Sequence, residues 1–169
     1  MSRFRFGRPI CAALASAFLG LAPLTAAPAA TPVACKAGQA VLKPLQPLTL
    51  VTDKGRYLFK VEVADTYQRR ETGLMCRASL AADRGMLFDF HKPAADQAFW
   101  MHNTLIPLDI VYIRPDGRVL SIARNARPLD DTPLPAGGTI LGVLEIAGGR
   151  AAQIDLMPGD RVLHRIFPQ

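Results

Sequence analysis

The densest run of chemically capable side chains is Phe99-Trp100-Met101-His102-Asn103-Thr104, shortly before Pro107. Trp100 is the sole tryptophan. Its indole offers a flat face to a sugar or another planar ligand, and Asn103 and Thr104 add directed hydrogen-bonding groups. Binding groups concentrate on loops held by a rigid sheet, and this run lies where a short strand opens into a loop. A structural reading competes: Phe99 and Met101 fill the core, Trp100 packs at its margin, and Asn103 and Thr104 satisfy a turn. Two carboxylates stand in apolar surroundings, Asp109 at the start of a strand and Glu145 inside one. Burying either charge is costly unless it is paired, and Arg77 is the expected structural partner for one of them. The catalytic version makes Asp109 and Glu145 an acid and a base with separated pKa values.

A softer set of groups comprises Met75, Cys76, Met86, Met101, His102 and Met157. Thioether, thiol and imidazole ligands suit Cu(I), but these methionines sit singly on apolar faces, which is how methionine fills a core. His91, His102 and His164 lack zinc-ligand spacing. A Cys76 nucleophile with His102 as base is silenced if Cys76 is bridged. The chain carries no nucleophile elbow, phosphate loop, dinucleotide fingerprint or zinc-protease helix. No cofactor or metal is expected.

The N-terminus reads as an export signal. Arg3, Arg5 and Arg8 form a basic start, and residues 10–24 carry no charge. That apolar run is roughly 15 residues long and is broken by Gly20 and Pro23, whereas a membrane-spanning helix needs about 20. Small residues at 25–30 suit a signal peptidase, so residues 1–29 are read as a signal peptide cleaved near Ala27 to Ala30, with no membrane anchor afterwards. Losing three arginines takes the basic count from 20 to 17 against 14 acids, and the net charge from +6 to +3. The remaining Lys and Arg are scattered and not interleaved with stacking aromatics, which argues against nucleic-acid binding. A small molecule or an envelope component is the expected partner, and the expected location is periplasmic or secreted.

Cys11 leaves with the signal, so Cys35 and Cys76 remain in an oxidising compartment. A disulfide between them is the default reading. Cys35 as a lipid acceptor and a paired thiolate metal site are the alternatives.

These groups must be positioned by one domain. Residues 30–47 are rich in Ala and Pro and form a tail; residues 48–169 form the folded part. Residues 49–52 and 56–64 flank Asp53-Lys54-Gly55 as a hairpin, with Tyr57, Phe59, Val61 and Val63 on one face. Asp65 with Gln68, and Gly73 beyond them, mark a short helix. Alternation returns at 86–90 and 98–101. Residues 108–113 and 118–123 flank Arg114-Pro115-Asp116-Gly117, a turn in which proline sets the first central angle. Residues 125–138, with three prolines and two glycines, are expected to form a long surface loop. A buried strand at 140–146, a second short helix within 148–156 and a last strand at 161–166 complete the count. The expectation is a mainly β, single-domain antiparallel sandwich or barrel of about seven strands with one or two short helices.

Several of these stretches, in order, resemble the domain-of-unknown-function 192 family: Val61-Glu62-Val63-Ala64-Asp65-Thr66, Gly73-Leu74-Met75 with Arg77, Gly85-Met86-Leu87-Phe88, Phe99-Trp100-Met101 with Asn103-Thr104, and Pro107-Leu108-Asp109. Val143-Leu144-Glu145 and Pro158-Gly159-Asp160 extend the likeness, which spans residues 48–166. The resemblance implies a small β-rich domain, often exported, with no agreed activity. The chain departs from the family pattern at Cys76 and His102, so a role specific to either would not be family-wide.

Together these features predict an exported binding or accessory domain with a shallow site formed by Trp100, Asn103 and Thr104 and backed by Arg77 and Asp109. A hydrolase-like enzyme using Asp109 and Glu145, and a Cu(I) carrier using Met, His and Cys, are the alternatives. Intact-mass measurement of protein purified from the producing cell's envelope should give a mature start between Ala27 and Ala30 and no lipid mass. A chain retaining Met1 would overturn the export reading, and a lipid-modified Cys35 would replace cleavage near Ala27 and the disulfide with lipidation.

Overall fold

Side-chain alternation builds the first hairpin. Strands β1 (Gln46–Thr52) and β2 (Gly55–Ala64) pair antiparallel about the predicted turn. Phe59 and Val61 are buried with Leu48 and Leu50, while Lys60 is exposed. The computed structural model describes Cys35 and residues 41–168; the signal peptide and most of the Ala/Pro-rich tail read from the sequence lie outside the described residues. After β2 come α1 (Tyr67–Thr72), β3 (Arg84–Ala94), β4 (Ala98–Phe99), β5 (Leu108–Ile113) and β6 (Val119–Ala126). The remaining elements are β7 (Leu134–Pro135), β8 (Ile140–Ala147), α2 (Arg150–Gln153) and β9 (Arg161–Leu163).

The architecture is mainly β, as the alternation predicts. Seven strands form one sheet in the order β6-β5-β8-β3-β2-β1-β9, and β4 pairs with β7 in a second, two-stranded piece. The expectation of antiparallel neighbours holds for every pair in the main sheet except β2 and β3, which run parallel. Parallel neighbours require a crossover, and the segment carrying α1 supplies it. The sheet curls into a half-barrel. Its two ends approach where Val162 N–H donates to the Gly117 carbonyl at 2.8 Å and Val119 N–H donates to the Asp160 carbonyl at 2.8 Å. Gly117 sits at φ +78°, the left-handed position that the predicted Pro-Asp-Gly turn assigns to glycine.

Both faces of the central strands are covered. One face of the sheet packs Leu87, Val111, Ile113, Leu144 and Ile146 against Ile154 and Leu156. The other packs Met86, Phe88, Leu108, Ile110, Tyr112 and Val143. All six residues of β5 are buried. Each buried Leu, Ile or Phe contributes about 1.5–3 kcal/mol relative to exposure, so these central strands hold the molecule together.

Two local readings are refined and one holds. The helix predicted from Asp65 is capped instead by Thr66, whose hydroxyl accepts from Arg69 N–H at 3.2 Å. Asp65 forms an i,i+4 ion pair with Arg69 at 2.7 Å. The predicted loop at 125–138 contains β7, a two-residue strand that tolerates Pro135 because it pairs along one side only. The default cysteine reading stands: a disulfide joins Cys35 to Cys76, with Cα atoms 5.2 Å apart and a sequence separation of 41. That leaves no free thiol for a lipid, a thiolate metal site or a Cys76 nucleophile, and a disulfide fits an oxidising, non-cytoplasmic compartment. Among the described residues no helix is long and apolar enough to cross a membrane.

Asp109 is fully buried on the face that carries α2. Its carboxylate accepts backbone N–H groups from Asn125 at 2.7 Å, Gly149 at 3.1 Å and Ala151 at 2.7 Å. It thereby satisfies the orphan donors at the start of α2, where Gly149 offers no side-chain cap. Replacing Asp109 with alanine should strand these donors and cost about 3 kcal/mol. Urea unfolding should show this loss, and a change under about 1 kcal/mol would refute the anchoring role.

Candidate functional site

On the face opposite Asp109, a cleft of about 340 Å³ opens between α1, the end of β3 and the loop that follows β4. Its walls include Arg70, Met75, Phe90 and Phe99, with Trp100 and His102 at the rim, and Glu145 lines its buried depth. Gly73 ends α1 at φ +49°, and a Cβ there would stand 3.2 Å from the Phe88 ring, so the wall closes against β3 only with glycine. Phe88 meets Phe99 edge-on at 4.9 Å between ring centroids, and Phe99 meets Tyr112 edge-on at 6.0 Å. These contacts tie the short β4 segment to the main sheet, and the Tyr112 hydroxyl donates to the Leu134 carbonyl on β7. Aromatic packing of this kind makes the wall a fixed surface.

Glu145 is the chemical anomaly. It lies in β8, paired on one side with Met86 and on the other with Ile110. Its residue exposure is 5 %, and its Oε2 has no hydrogen-bond partner. Burial pushes its carboxyl from 4.5 up to about 8, so the group is neutral at pH 7. Burial also holds the Tyr112 hydroxyl well above the usual phenol range, and the charge on Glu145 adds to that rise.

The sequence-predicted site residues divide. Trp100 and Thr104 line the cleft. Trp100 is 54 % exposed, with its ring edge-on to His102 at 6.5 Å. Thr104 is buried and holds the turn: its N–H donates to the Met101 carbonyl at 3.0 Å, and its own carbonyl accepts from Leu129 at 3.1 Å. Asn103 takes a left-handed φ of +52°, and its carbonyl accepts Cys76 N–H at 2.8 Å. That contact fastens the disulfide loop to the Trp100 loop.

Arg77 and Asp109 do not back this cleft. Arg77 makes a buried two-pronged pair with Glu62, at 2.5 and 2.7 Å, and Glu62 also accepts Leu42 N–H at 2.7 Å. The expected pairing of Arg77 with Asp109 or Glu145 is therefore corrected. Asp109 pairs across the ladder with Ile146, and Ile110 with Glu145. Successive side chains point to opposite faces, so the two carboxylates lie on different sides of the sheet and cannot share one substrate as acid and base.

The Cu(I) set does not come together either. Met86 and Met101 are buried in the apolar cluster, Cys76 is bridged, and Met157 lies against Arg124. Among the described residues no group of three or more His, Cys, Asp or Glu is placed to hold a metal ion. Sequence reasoning missed the wall from α1, because Arg70 and Gly73 carry only helix-ending signals. The signal for Glu145 was present: a carboxylate inside an apolar strand.

A profile of the DUF192 family, described as an uncharacterised ACR family, matches residues 49–164. The chain belongs to this family. Among solved structures, a protein of unknown function from Novosphingobium aromaticivorans DSM 12444 is 42% identical. The match covers 80% of this chain and 99% of that one, with a TM-score of 0.70. A Sinorhizobium meliloti 1021 protein described as a "putative transcription regulator" is 34% identical, over 74% of this chain and 97% of its own, with a TM-score of 0.70. No curated protein matches the chain.

The Glu145 geometry sets a pH dependence. Between its unfolded value of 4.5 and its folded value of about 8, the native state holds a proton that the unfolded state has released. Stability from this group is therefore full at low pH and is lost as pH rises through that window, with a slope of about 1 kcal/mol per pH unit. Urea unfolding of the wild type and of Glu145→Gln from pH 5 to 9 should show the variant gaining on the wild type until about pH 8, then running parallel. Curves parallel throughout would mean that Glu145 titrates normally.

Proposed function

We propose that this domain is an exported binding module of the cell envelope, and that the cleft between α1, β3 and the Trp100 loop is its ligand site. One observation carries the reading: a buried carboxyl with an unpartnered oxygen lines an aromatic-walled cleft of about 340 Å³. A polar group buried without a partner is destabilising, and small-molecule pockets combine hydrophobic and aromatic walls with placed polar groups that orient the ligand. A carboxyl perturbed by burial in a cleft is a functional-site candidate. The site is deeper than the shallow rim read from the sequence, and it exchanges Arg77 and Asp109 for Glu145.

Export is supported by the N-terminal pattern of Arg3, Arg5 and Arg8 before an uncharged run, and by the Cys35–Cys76 disulfide. The description of the Sinorhizobium protein would bring a nucleic-acid partner with it. Here the basic residues are scattered along the chain, and the cleft lining carries Arg70 together with the acidic Glu71 and Glu145. These features favour a small ligand over a phosphate backbone.

Trp100 is the rim residue whose loss separates binding from folding. Its half-exposed ring contributes little to the core, so Trp100→Ala should unfold cooperatively within about 0.5 kcal/mol of the wild type. In ligand-observed NMR with a set of single-ring aromatic fragments, wild-type binders should lose their signal against this variant. Fragments that bind both proteins equally would place the site elsewhere, and loss of cooperative unfolding would return Trp100 to a core role.

A further inference from the structure

We propose that the cleft takes a primary or secondary organic ammonium ion, whose N–H groups bond the Glu145 carboxylate while its apolar part lies among Phe88, Phe90, Phe99 and Trp100. The proposal rests on the reading of this cleft as a ligand site. The unpartnered Oε2 of Glu145 calls for a donor, and a charged N–H forms the stronger, shorter bond. Phe88, Phe90, Phe99 and Trp100 line the cleft, and aromatic rings attract cations. An anionic ligand would set its own charge beside that same acceptor oxygen. The guanidinium among the lining residues is already engaged: Arg70 Nη1 donates to the Asp89 carbonyl at 2.8 Å, and its head lies 5.5 Å from the Phe90 ring centroid.

The groups facing Glu145 do not supply the missing charge. From β3 it meets Met86 and Phe88, and from β5 Ile110 and Tyr112, whose hydroxyl is committed to Leu134. From α1 the cleft receives Arg70 and Glu71, and from the loop after β4 it receives His102, held at 2.8 Å by Asp131. The Glu62–Arg77 pair lies two strands away and is closed on itself. An incoming ammonium is thus the counter-charge that the site lacks. The step is a simple exchange: the Glu145 carboxyl releases its proton to water, the ammonium keeps its own, and no bond of the ligand changes. With the acid at about 8, ionising it at pH 7 costs only about tenfold in affinity, which one charge-assisted pair in a low-dielectric cleft outweighs.

The test uses the whole mature domain and the fluorescence of its sole tryptophan at the rim, with three isosteric probes: 2-phenylethylamine, 2-phenylethanol and phenylacetate. At pH 7 the amine should bind at least tenfold tighter than the alcohol, and the acid weakest. Glu145→Gln should bring the amine and alcohol within about twofold of each other. Calorimetry in phosphate and in Tris at pH 6.5 should show release of about one proton with the amine and none with the alcohol. That measurement needs no variant, so it holds even if Glu145→Gln folds poorly. The amine's affinity should rise about tenfold from pH 6 to 7 and level off near 8. Methylating the amine fully to a quaternary ammonium should weaken it, because the donor is lost. Equal binding of amine and alcohol without proton release would overturn the ammonium proposal and leave the cleft a binding site. Failure of all three probes to bind would overturn both readings.

Discussion

A strand covered on both faces cannot hide a carboxylate without giving it a partner or a cavity, and this constraint organises the whole sheet. Three buried acidic side chains stand on its inner strands. Asp109 is answered by three backbone N–H groups, and Glu62 by the fork of Arg77 and by Leu42 N–H. Glu145 is answered by nothing among the described residues at its Oε2, and beside it the apolar layer opens into a cleft. The first two carboxylates fasten surface segments to the sheet: α2 in one case, and the crossover loop with the segment before β1 in the other. The third keeps its proton, because no charge nearby repays ionisation at this depth. The same chemistry, buried in all three cases, therefore anchors a surface segment twice and once lines the cleft.

How much of this was legible follows from the same constraint. The hairpin at Arg114-Pro115-Asp116-Gly117 was readable because its geometry is a local property of proline, aspartate and glycine, and β5 matches the predicted strand at 108–113 residue for residue. The parallel pairing of β2 with β3 was not readable, because nothing local tells a crossover from a hairpin when the connecting helix is only six residues long. The cysteine pairing was readable from count and compartment. The partner of Arg77 was not. Glu62 sits on the strand face opposite Phe59, Val61 and Val63, the face it shares with the exposed Lys60. Only the sheet order shows that the far end of β2 is covered while its beginning is not.

The candidate site was half legible for a related reason. Trp100 and Thr104 stood out by type and clustering, and they do line the cleft. Asp109 and Glu145 stood out equally as carboxylates in apolar strands, yet their positions have opposite parity relative to the β5–β8 register. Composition cannot supply that parity. The register alone turns one into a helix anchor and the other into the wall of a pocket.

The cleft also explains why its two flanking loops are tied so firmly. Cys76 N–H donates to the Asn103 carbonyl, linking the loop after α1 to the loop after β4, and the disulfide fixes Cys76 in turn to Cys35. Trp100 is followed by Met101, whose N–H donates to Asp130 and whose side chain is buried in the apolar cluster. The rim residue is therefore exposed on a backbone pinned on either side. Ordering a loop at the moment of binding subtracts from affinity, and a site whose walls are set beforehand avoids that loss. A domain of this size has a limited core from which to hold such loops. Here covalent and backbone links do the holding, and Glu145, the carboxyl left without a partner, stays at the wall of the cleft.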